Sequence, residues 1–196
     1  MVIGVTGSFG SGKSFVAKMF AQRGAYIVDA DGICHSLMKP SKKAYKKVLR
    51  HFGRSILKKD KTIDRKRLAG IVFEKGGEIK LLNRLVHPEV IKEMVRLIRT
   101  NKKNALIVVD GPLLVETGFY KKMDRLIVVK TGRHIQTNRM IKAKGMSRNE
   151  VLDRIRMQAP LKKKLALADF VIDNSGSKKE TLSQVEKIWK TISLSA

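Results

Sequence analysis

The chain has 196 residues, of which 42 are Lys or Arg and 17 are Asp or Glu, so its formal net charge is +25. Hydrophobic residues make up 43% of the chain, which is enough for a folded core and argues against disorder. No apolar run reaches the ~20 residues of a membrane span, and the first residues lack the pattern of a signal peptide. The single cysteine, Cys34, excludes an internal disulfide. We expect a compact cytoplasmic protein that does not contact a membrane.

The positive charge suits a polyanionic partner but does not name one. Proteins that bind single-stranded nucleic acid place aromatic rings among their basic residues, and only 6% of this chain is aromatic. The lysine clusters are also spread along the chain. A solvated, lysine-rich surface is therefore the simpler interpretation, and no specific nucleic-acid partner is expected, although small polyphosphates would be attracted to such a surface.

Short apolar runs alternate with longer amphipathic stretches, a pattern that predicts a parallel sheet flanked by helices. The first strand is expected at residues 2–6, followed by a helix over 13–23 and a second strand at 26–29. Nearly everything from 31 to 100 has helical spacing. A break is expected at His87-Pro88, because a residue before proline disfavours helix.

Three further apolar runs predict strands at 106–110, 126–130 and 170–172, and the chain is expected to close with a helix over 181–192. Two segments match capping boxes and predict helix starts: Ser147-x-x-Glu150 and Ser177-x-x-Glu180.

The expected fold is thus α/β, a five-stranded parallel sheet in a three-layer α/β/α core with a helical insertion. The core comprises residues 1–30 and 105–196, and the insertion comprises 31–104. A basic segment within the core, residues 139–165, is the lid segment discussed below.

Residues 7–14, Gly-Ser-Phe-Gly-Ser-Gly-Lys-Ser, match the pattern G-x-x-x-x-G-K-[ST], for which about 0.02 chance matches are expected here. The glycines let main-chain amides surround phosphates, and the N-terminus of the following helix favours an anion. Lys13 can reach the β- and γ-phosphates, and the Ser14 hydroxyl can ligate Mg²⁺. A structural glycine turn is the alternative. The pattern predicts that a nucleoside triphosphate is bound by Gly7, Gly10, Ser11, Gly12, Lys13, Ser14 and Phe15.

Two carboxylates, Asp29 and Asp31, follow the second strand at the sheet edge where ligands bind in open α/β folds. A kinase of small molecules needs a carboxylate there to accept or orient the proton of the attacking hydroxyl, and we prefer Asp31. Capping of the next helix is the alternative. Asp110 ends the strand at 106–110, where a carboxylate can hold Mg²⁺, or it caps the turn before Pro112.

Over residues 1–192 the chain resembles the dephospho-coenzyme A kinase family. Besides the phosphate-binding loop, the resemblance rests on an ordered set of short motifs: Asp29-Ala-Asp31, Ile63-Asp64-Arg65, His87-Pro88, Pro112-Leu-Leu114 with Glu116, Gln158, and Asp173-Asn-x-Gly176. It implies ATP-dependent phosphorylation of the ribose 3′-hydroxyl of dephospho-CoA, with Mg²⁺, as the final step of coenzyme A biosynthesis. It also implies the fold of nucleoside monophosphate kinases, with a nucleotide-binding core, a helical acceptor domain and a lid.

The resemblance further implies residue roles. Asp31 would be the base, with Lys13 and Arg139 as the other catalytic residues. Asn174 and Gly176 would approach the adenine of ATP. The acceptor would be held by Asp31, Arg65, His87, Leu113 and Leu114, although a structural role at a helix start suits His87 equally well.

The lid segment departs from the family pattern. The family usually carries Arg-x-x-x-Arg, whereas this chain has Arg139 followed by Ala143. Lysine cannot copy the planar fork of a guanidinium, so the partner of Arg139 stays open among Lys142, Lys144, Arg148, Arg154 and Arg156. Two smaller departures place Ser8 and Lys61 where glycine is common.

Two other functions fit parts of this pattern. One is a kinase for another small hydroxylated or nucleotide acceptor, which ADP release with dephospho-CoA would distinguish. The other is a nucleic-acid-binding protein that uses ATP as a switch, which would bind tightly at ~150 mM salt with a steep salt dependence. The sequence does not indicate an oligomeric state.

Overall fold

The computed structural model describes residues 1–74 and 77–193, within which five strands form one sheet. The strands are β1 (Val2–Gly7), β2 (Tyr26–Asp29), β3 (Ile107–Asp110), β4 (Arg125–Lys130) and β5 (Phe170–Asp173). Their order is β2-β3-β1-β4-β5, and all four pairings are parallel. The predicted five-stranded parallel α/β fold is confirmed.

The described helices are α1 (Lys13–Ala21), α2 (Ala30–Leu37), α3 (Lys43–Phe52), α4 (Arg65–Glu74), α5 (Glu78–Thr100), α6 (Arg133–Lys144), α7 (Arg148–Arg156), α8 (Leu161–Leu165) and α9 (Lys178–Ser193). Two short 3₁₀ helices lie at Arg54–Ile56 and Phe119–Lys122. Among the helices of the described parts of the chain, none combines the length and apolar character needed to cross a lipid bilayer.

The chain divides into two compact units. The first comprises Met1–Asp29 and Ile98–Ala196 and contains the sheet with α1 and α6 to α9. The second comprises Ala30–Leu97 and is helical, apart from an isolated antiparallel bridge between Leu57 and Ile63. The sequence had suggested borders at residues 31 and 105.

The core of the first unit lies around the central strands. These strands are continuous apolar runs because helices cover both faces of a parallel sheet. Fully buried side chains on them include Ile3, Val5, Val108, Ile127 and Val129. The helices α1 and α9 pack together on this sheet, and their Phe20 and Trp189 ring centroids lie 6.2 Å apart.

The predicted helix break at His87-Pro88 is wrong. The helix α5 runs from Glu78 to Thr100 with Pro88 inside it. Proline removes one backbone hydrogen bond, but Val86, Val90 and Met94 are buried on both sides of it. Packing of this apolar face outweighs the local preference.

Both capping boxes are present. The Ser147 hydroxyl accepts from the Glu150 N–H at 3.2 Å, and the Glu150 carboxylate accepts from the Ser147 N–H at 2.8 Å. Ser177 and Glu180 make the same reciprocal pair at 3.2 and 2.6 Å. The helices α7 and α9 therefore begin directly after the predicted caps.

Candidate active site

The phosphate-binding loop, residues 7–14, joins β1 to α1 in the first unit. Gly10 and Gly12 have φ angles of +77° and +86°, in the left-handed region that favours glycine. A Cβ on Gly12 would collide with the Asn174 side-chain amide, and one on Gly10 would lie 2.9 Å from Met140 Cγ. Both glycines are thus required by backbone conformation and by close neighbours. The loop leads into the N-terminus of α1, where amides without intrahelical acceptors can bind an anion.

A set of buried side chains holds this loop from behind. The Ser11 carbonyl accepts from Thr131 Oγ1 at 3.0 Å and from Asn174 Nδ2 at 2.8 Å. The Asn174 side chain also accepts from Thr181 Oγ1 at 3.0 Å. These bonds tie the loop to the ends of β4 and β5 and to α9. The sequence suggested that Asn174 approaches adenine, whereas its side-chain amide is engaged in bracing the loop.

A cavity of about 240 Å³ opens beside the loop. Cavities that enclose whole ligands have volumes of about 300–1,000 Å³, so this one suits part of a nucleotide. Its described lining consists of Gly12, Phe15, Arg139, Asn174, Gly176 and Lys178. The structure therefore brings together five residues named from the sequence. Lys178, the first residue of α9, was missed, because one more lysine in a lysine-rich chain carries no signal.

Asp110 lies at the C-terminal end of β3, the strand between β1 and β2. Its side chain is buried, and its register partners are Val5 on β1 and Asp29 on β2. Asp110 therefore lies at the same sheet edge as the phosphate-binding loop, which contains the exposed Ser14.

A carboxylate and a hydroxyl are suitable oxygen ligands for Mg²⁺, which keeps several waters and also binds substrate phosphates. In the described parts of the chain, no cluster of three or more His, Cys, Asp or Glu side chains could hold a metal ion unaided. The oxygen donors of Ser14 and Asp110 therefore suit a metal ion whose remaining ligands are waters and phosphate oxygens.

A buried lysine in the lid segment, Lys164, is a feature that sequence reasoning missed. Its ammonium donates to the Pro112 carbonyl at 2.6 Å and pairs with the Glu116 carboxylate at 2.9 Å. Thr6 Oγ1, at the end of β1, donates to the same carbonyl at 3.3 Å. Burial lowers the pKa of Lys164, an effect that Glu116 opposes and the charge of Lys13 reinforces. Nothing in the run Lys162-Lys163-Lys164 distinguishes its third member, so its burial cannot be predicted from local sequence.

The second unit contains a larger cavity, of about 850 Å³. It is formed by α2, the segment before α4 and the start of α4. The described residues that line it are Cys34, His35, Met38, Lys39, Lys58, Thr62, Ile63, Asp64, Arg65 and Lys66. Four of these carry a positive charge and one carries a carboxylate.

The carboxylate in this lining, Asp64, caps α4. Its Oδ1 accepts from the backbone N–H groups of Lys66 at 3.0 Å and Arg67 at 3.2 Å. The Arg67 N–H makes the largest contribution to holding the pKa of Asp64 below its usual value. Because this charge is engaged by a helix N-terminus, the cavity presents mainly cations.

Arg65 and Cys34 contribute to the same cavity. Arg65 is exposed and lies 3.0 Å from His35 Nε2 through its Nη1. Cys34 is half-buried, and burial raises the pKa of its thiol, with a smaller contribution from the negative charge of Asp31.

Lys61 lies in the turn of the segment before α4 and has a φ angle of +63°. Its carbonyl accepts from the Tyr45 hydroxyl at 2.7 Å. This hydrogen bond holds the turn in which Lys61 adopts its left-handed conformation.

The remaining predicted site residues lie as follows. Asp31 is exposed in the first turn of α2, two residues after the end of β2. His87 is half-buried on α5 and is not among the described residues that line the 850 Å³ cavity. Leu113 is half-buried, whereas Leu114 is 2% exposed and packs over Gly4 in the core, where it presents no surface to a ligand.

Comparison with known proteins agrees with this geometry. The family model described as dephospho-CoA kinase matches residues 1–180. A dephospho-CoA kinase of Aquifex aeolicus is 40% identical over 190 residues, which cover 97% of this chain and 96% of that protein. One of Carboxydothermus hydrogenoformans is 41% identical over 194 residues, covering 96% and 94% of the two chains.

Solved structures extend the comparison to three dimensions. The dephospho-CoA kinase of Campylobacter jejuni superposes with a TM-score of 0.73 at 28% identity, covering 99% of this chain and 98% of that one. These findings confirm the predicted resemblance, the enzyme class and the function at the level of the family, which performs the final step of coenzyme A biosynthesis. The chain therefore belongs to the dephospho-CoA kinase family.

Proposed function

We propose that this chain transfers the γ-phosphoryl group of ATP to the ribose 3′-hydroxyl of dephospho-CoA, with Mg²⁺, in the cytoplasm. The observation that carries the proposal is the phosphate-binding loop. Its left-handed glycines and its buried brace, Thr131 and Asn174, preform a site for phosphates beside a cavity lined by Arg139.

In the first unit, Lys13 and the first amides of α1 bind the triphosphate. Ser14 and Asp110 would hold Mg²⁺, which would neutralise charge on the phosphates. The cavity beside Gly12 receives the nucleoside part of ATP, where Phe15 and Gly176 contribute to the lining and Asn174 acts through the loop that it braces.

Arg139 supplies a cation at the same place. Its half-buried side chain lines the cavity beside Gly12, so it is suited to stabilise negative charge on the transferred phosphoryl group. Ala143 provides no second guanidinium, and the second cation comes from elsewhere in the lid segment.

The acceptor binds in the second unit. Dephospho-CoA is anionic, and the 850 Å³ cavity presents Lys39, Lys58, Arg65 and Lys66 to it. Arginine and lysine are the side chains that most commonly bind phosphate groups in proteins. Leu113 and His87 stay candidates for acceptor contacts, whereas the burial of Leu114 supports a packing role.

Asp31 acts as the general base. It follows the C-terminal end of β2, and its exposed carboxylate can accept a proton from solvent-accessible substrate. In the transfer, the 3′-oxygen forms a bond to the γ-phosphorus while the bond from that phosphorus to the bridging oxygen breaks. ADP leaves with the bonding electron pair, and Asp31 takes the hydroxyl proton.

The test is ADP release in the presence of ATP, Mg²⁺ and dephospho-CoA. We expect release that depends on the acceptor, with coenzyme A as the product identified by mass spectrometry. Coenzyme A itself is the matched control, because its 3′-position is already phosphorylated and cannot accept. Release that is equal with and without dephospho-CoA, or that occurs instead with a nucleoside monophosphate, would overturn the proposal.

A further inference from the structure

Phe9, the third residue of the phosphate-binding loop, is held by the lid segment through both its backbone and its ring. Its N–H donates to Gln158 Oε1 at 2.7 Å. Its ring centroid lies 5.7 Å from Lys144 Nζ and 5.3 Å from Arg154 Cζ, within the range of cation–π attraction. The proposed mechanism gives this side chain no role.

The two cations come from different helices of the lid segment. Lys144 is the last residue of α6, and Arg154 lies on α7. Both lie within about 6 Å of the same ring, whose attraction opposes the mutual repulsion of the two charges. The acidic residues of α7 are engaged elsewhere, because Glu150 caps the helix and Asp153 pairs with Arg156 at 3.2 Å.

The helix α6 also lies directly against the loop. A Cβ added to Gly10 would lie 2.9 Å from Met140 Cγ and 3.4 Å from the Gln136 carbonyl oxygen. The backbone of Gly10 thus packs against Met140 of α6, next to the contacts of Phe9 with Lys144 and Arg154. The loop and the lid segment therefore meet at residues 9 and 10.

We propose that Phe9 is a positioning residue for ATP binding, whose ring gathers Lys144 and Arg154 at the phosphate-binding loop before the nucleotide arrives. This inference rests on the proposed function, since it takes ATP as the ligand of the loop. Without the ring, the two cations separate and the lid segment is seated in a smaller fraction of molecules. The apparent affinity for ATP falls by that fraction.

The first experiment measures the affinity for a non-hydrolysable ATP analogue with Mg²⁺ by isothermal titration calorimetry. Phe9→Leu keeps an apolar side chain but removes the ring, whereas Phe9→Trp keeps an aromatic face. An exposed cation–π contact corresponds to about a 2–5-fold change in an equilibrium constant. The factors for two such contacts multiply, so we expect Phe9→Leu to weaken binding about 4–25-fold and Phe9→Trp to stay within about twofold of the wild type.

The second experiment measures coupling. Arg154→Met should weaken binding of the analogue in the wild-type background and have little further effect in the Phe9→Leu background. Lys187→Met, which removes one exposed charge from α9, is the matched control and should have the same small effect in both backgrounds. Unchanged affinity in Phe9→Leu, an equal loss in Phe9→Trp, or a full Arg154→Met effect in Phe9→Leu would overturn the inference.

These outcomes are separable from the proposed function. ADP release with dephospho-CoA tests the reaction in the wild type, whereas the analogue titrations test the loop in the absence of any acceptor. At saturating ATP, Phe9→Leu should retain kcat while its KM for ATP rises. A loss of kcat with unchanged KM would also contradict a positioning role.

Discussion

The phosphate-binding loop of the first unit is built mainly from backbone, whereas the large cavity of the second unit is lined by long charged side chains. The loop needs two left-handed glycines and a buried brace, so its shape is fixed before any ligand binds. The cavity instead presents lysine and arginine side chains, which are flexible and strongly hydrated. We infer that the first region selects its ligand by geometry and the second mainly by charge.

The same difference explains why the phosphate-binding loop is easier to recognise in the sequence than the large cavity. A loop that relies on glycine tolerates few alternatives at fixed spacing, and therefore produces a recognisable pattern. A cavity that relies on positive charge can use any of several lysines, and leaves little pattern in a chain with 42 basic residues.

The largest expected effect is on turnover, from a substitution of the proposed general base, Asp31. Asp31→Asn should lower kcat by about 10²–10⁴-fold, the usual contribution of a general acid or base. Affinity for the ATP analogue should stay within about twofold, since Asp31 is not part of the phosphate-binding loop. Turnover and calorimetric titration would check both parts, and near-normal kcat would remove Asp31 from the mechanism.

Because the phosphate-binding loop is formed mainly by backbone, even a methyl side chain on one of its left-handed glycines should weaken ATP binding. Gly12→Ala forces a left-handed residue to carry a Cβ, at a cost of about 1–2 kcal/mol, and drives that Cβ into the Asn174 amide. We expect at least a ~10-fold loss of ATP-analogue affinity. Gly132→Ala is the control, because its φ is −55° and an added Cβ meets no atom closer than 3.9 Å. Equal effects of the two substitutions would show that the strain argument fails.

If the large cavity of the second unit binds the acceptor mainly by charge, removal of one cation should raise the KM for the acceptor. Arg65→Met should raise the KM for dephospho-CoA about 10-fold, since a charge-assisted hydrogen bond contributes about 1.5–3 kcal/mol. Affinity for the ATP analogue should not change. Lys46→Met, which removes an exposed charge from α3 outside the described lining of the cavity, controls for net charge. If both variants raise KM equally, general attraction rather than this cavity holds the acceptor.

The smallest expected effect concerns the stability of the second unit and its dependence on pH. The Lys47 ammonium lies 2.7 Å from the Glu89 carboxylate, and this hydrogen bond lowers the pKa of Glu89 below its usual value. The pair therefore stabilises the fold above the unfolded-state pKa, and this contribution is lost as the pH falls through the lower folded-state pKa. Glu89→Gln should cost about 1 kcal/mol at pH 7.

Urea denaturation of the wild type and Glu89→Gln at several pH values would measure this difference. It should shrink as the pH is lowered below the unfolded-state pKa of Glu89 and through its lower folded-state pKa. Glu93→Gln is the matched control, because Glu93 pairs with Arg96 within α5, and such local pairs contribute about 0.3–0.5 kcal/mol. A difference that grows on acidification would contradict the assignment.

Sequence reasoning predicted the sheet and the phosphate-binding loop because both depend on local patterns. Buried parallel strands are apolar runs, and the capping boxes at Ser147 and Ser177 act within one turn. The same reasoning failed at Pro88, where buried residues on both sides maintain the helix. A rule based on local sequence does not take account of packing against residues that are distant in the chain.

The parts of the candidate site that were not predicted also depend on contacts between residues far apart in the sequence. Lys164 differs from its two neighbours only in being enclosed, and its partners Pro112 and Glu116 are about 50 residues away along the chain. The bracing role of Asn174 likewise depends on Ser11, which is 163 residues away. Such contacts become visible only when the fold brings the segments together.

The environment of Cys34 has a chemical consequence for an enzyme whose proposed acceptor ends in a sulfhydryl group. Cysteine attacks disulfides only as the thiolate, and burial, which raises the pKa of Cys34, disfavours that form. In the proposed acceptor site, burial therefore disfavours a mixed disulfide between Cys34 and an oxidised, sulfur-bearing metabolite. Burial thereby slows thiol–disulfide exchange at the wall of this cavity.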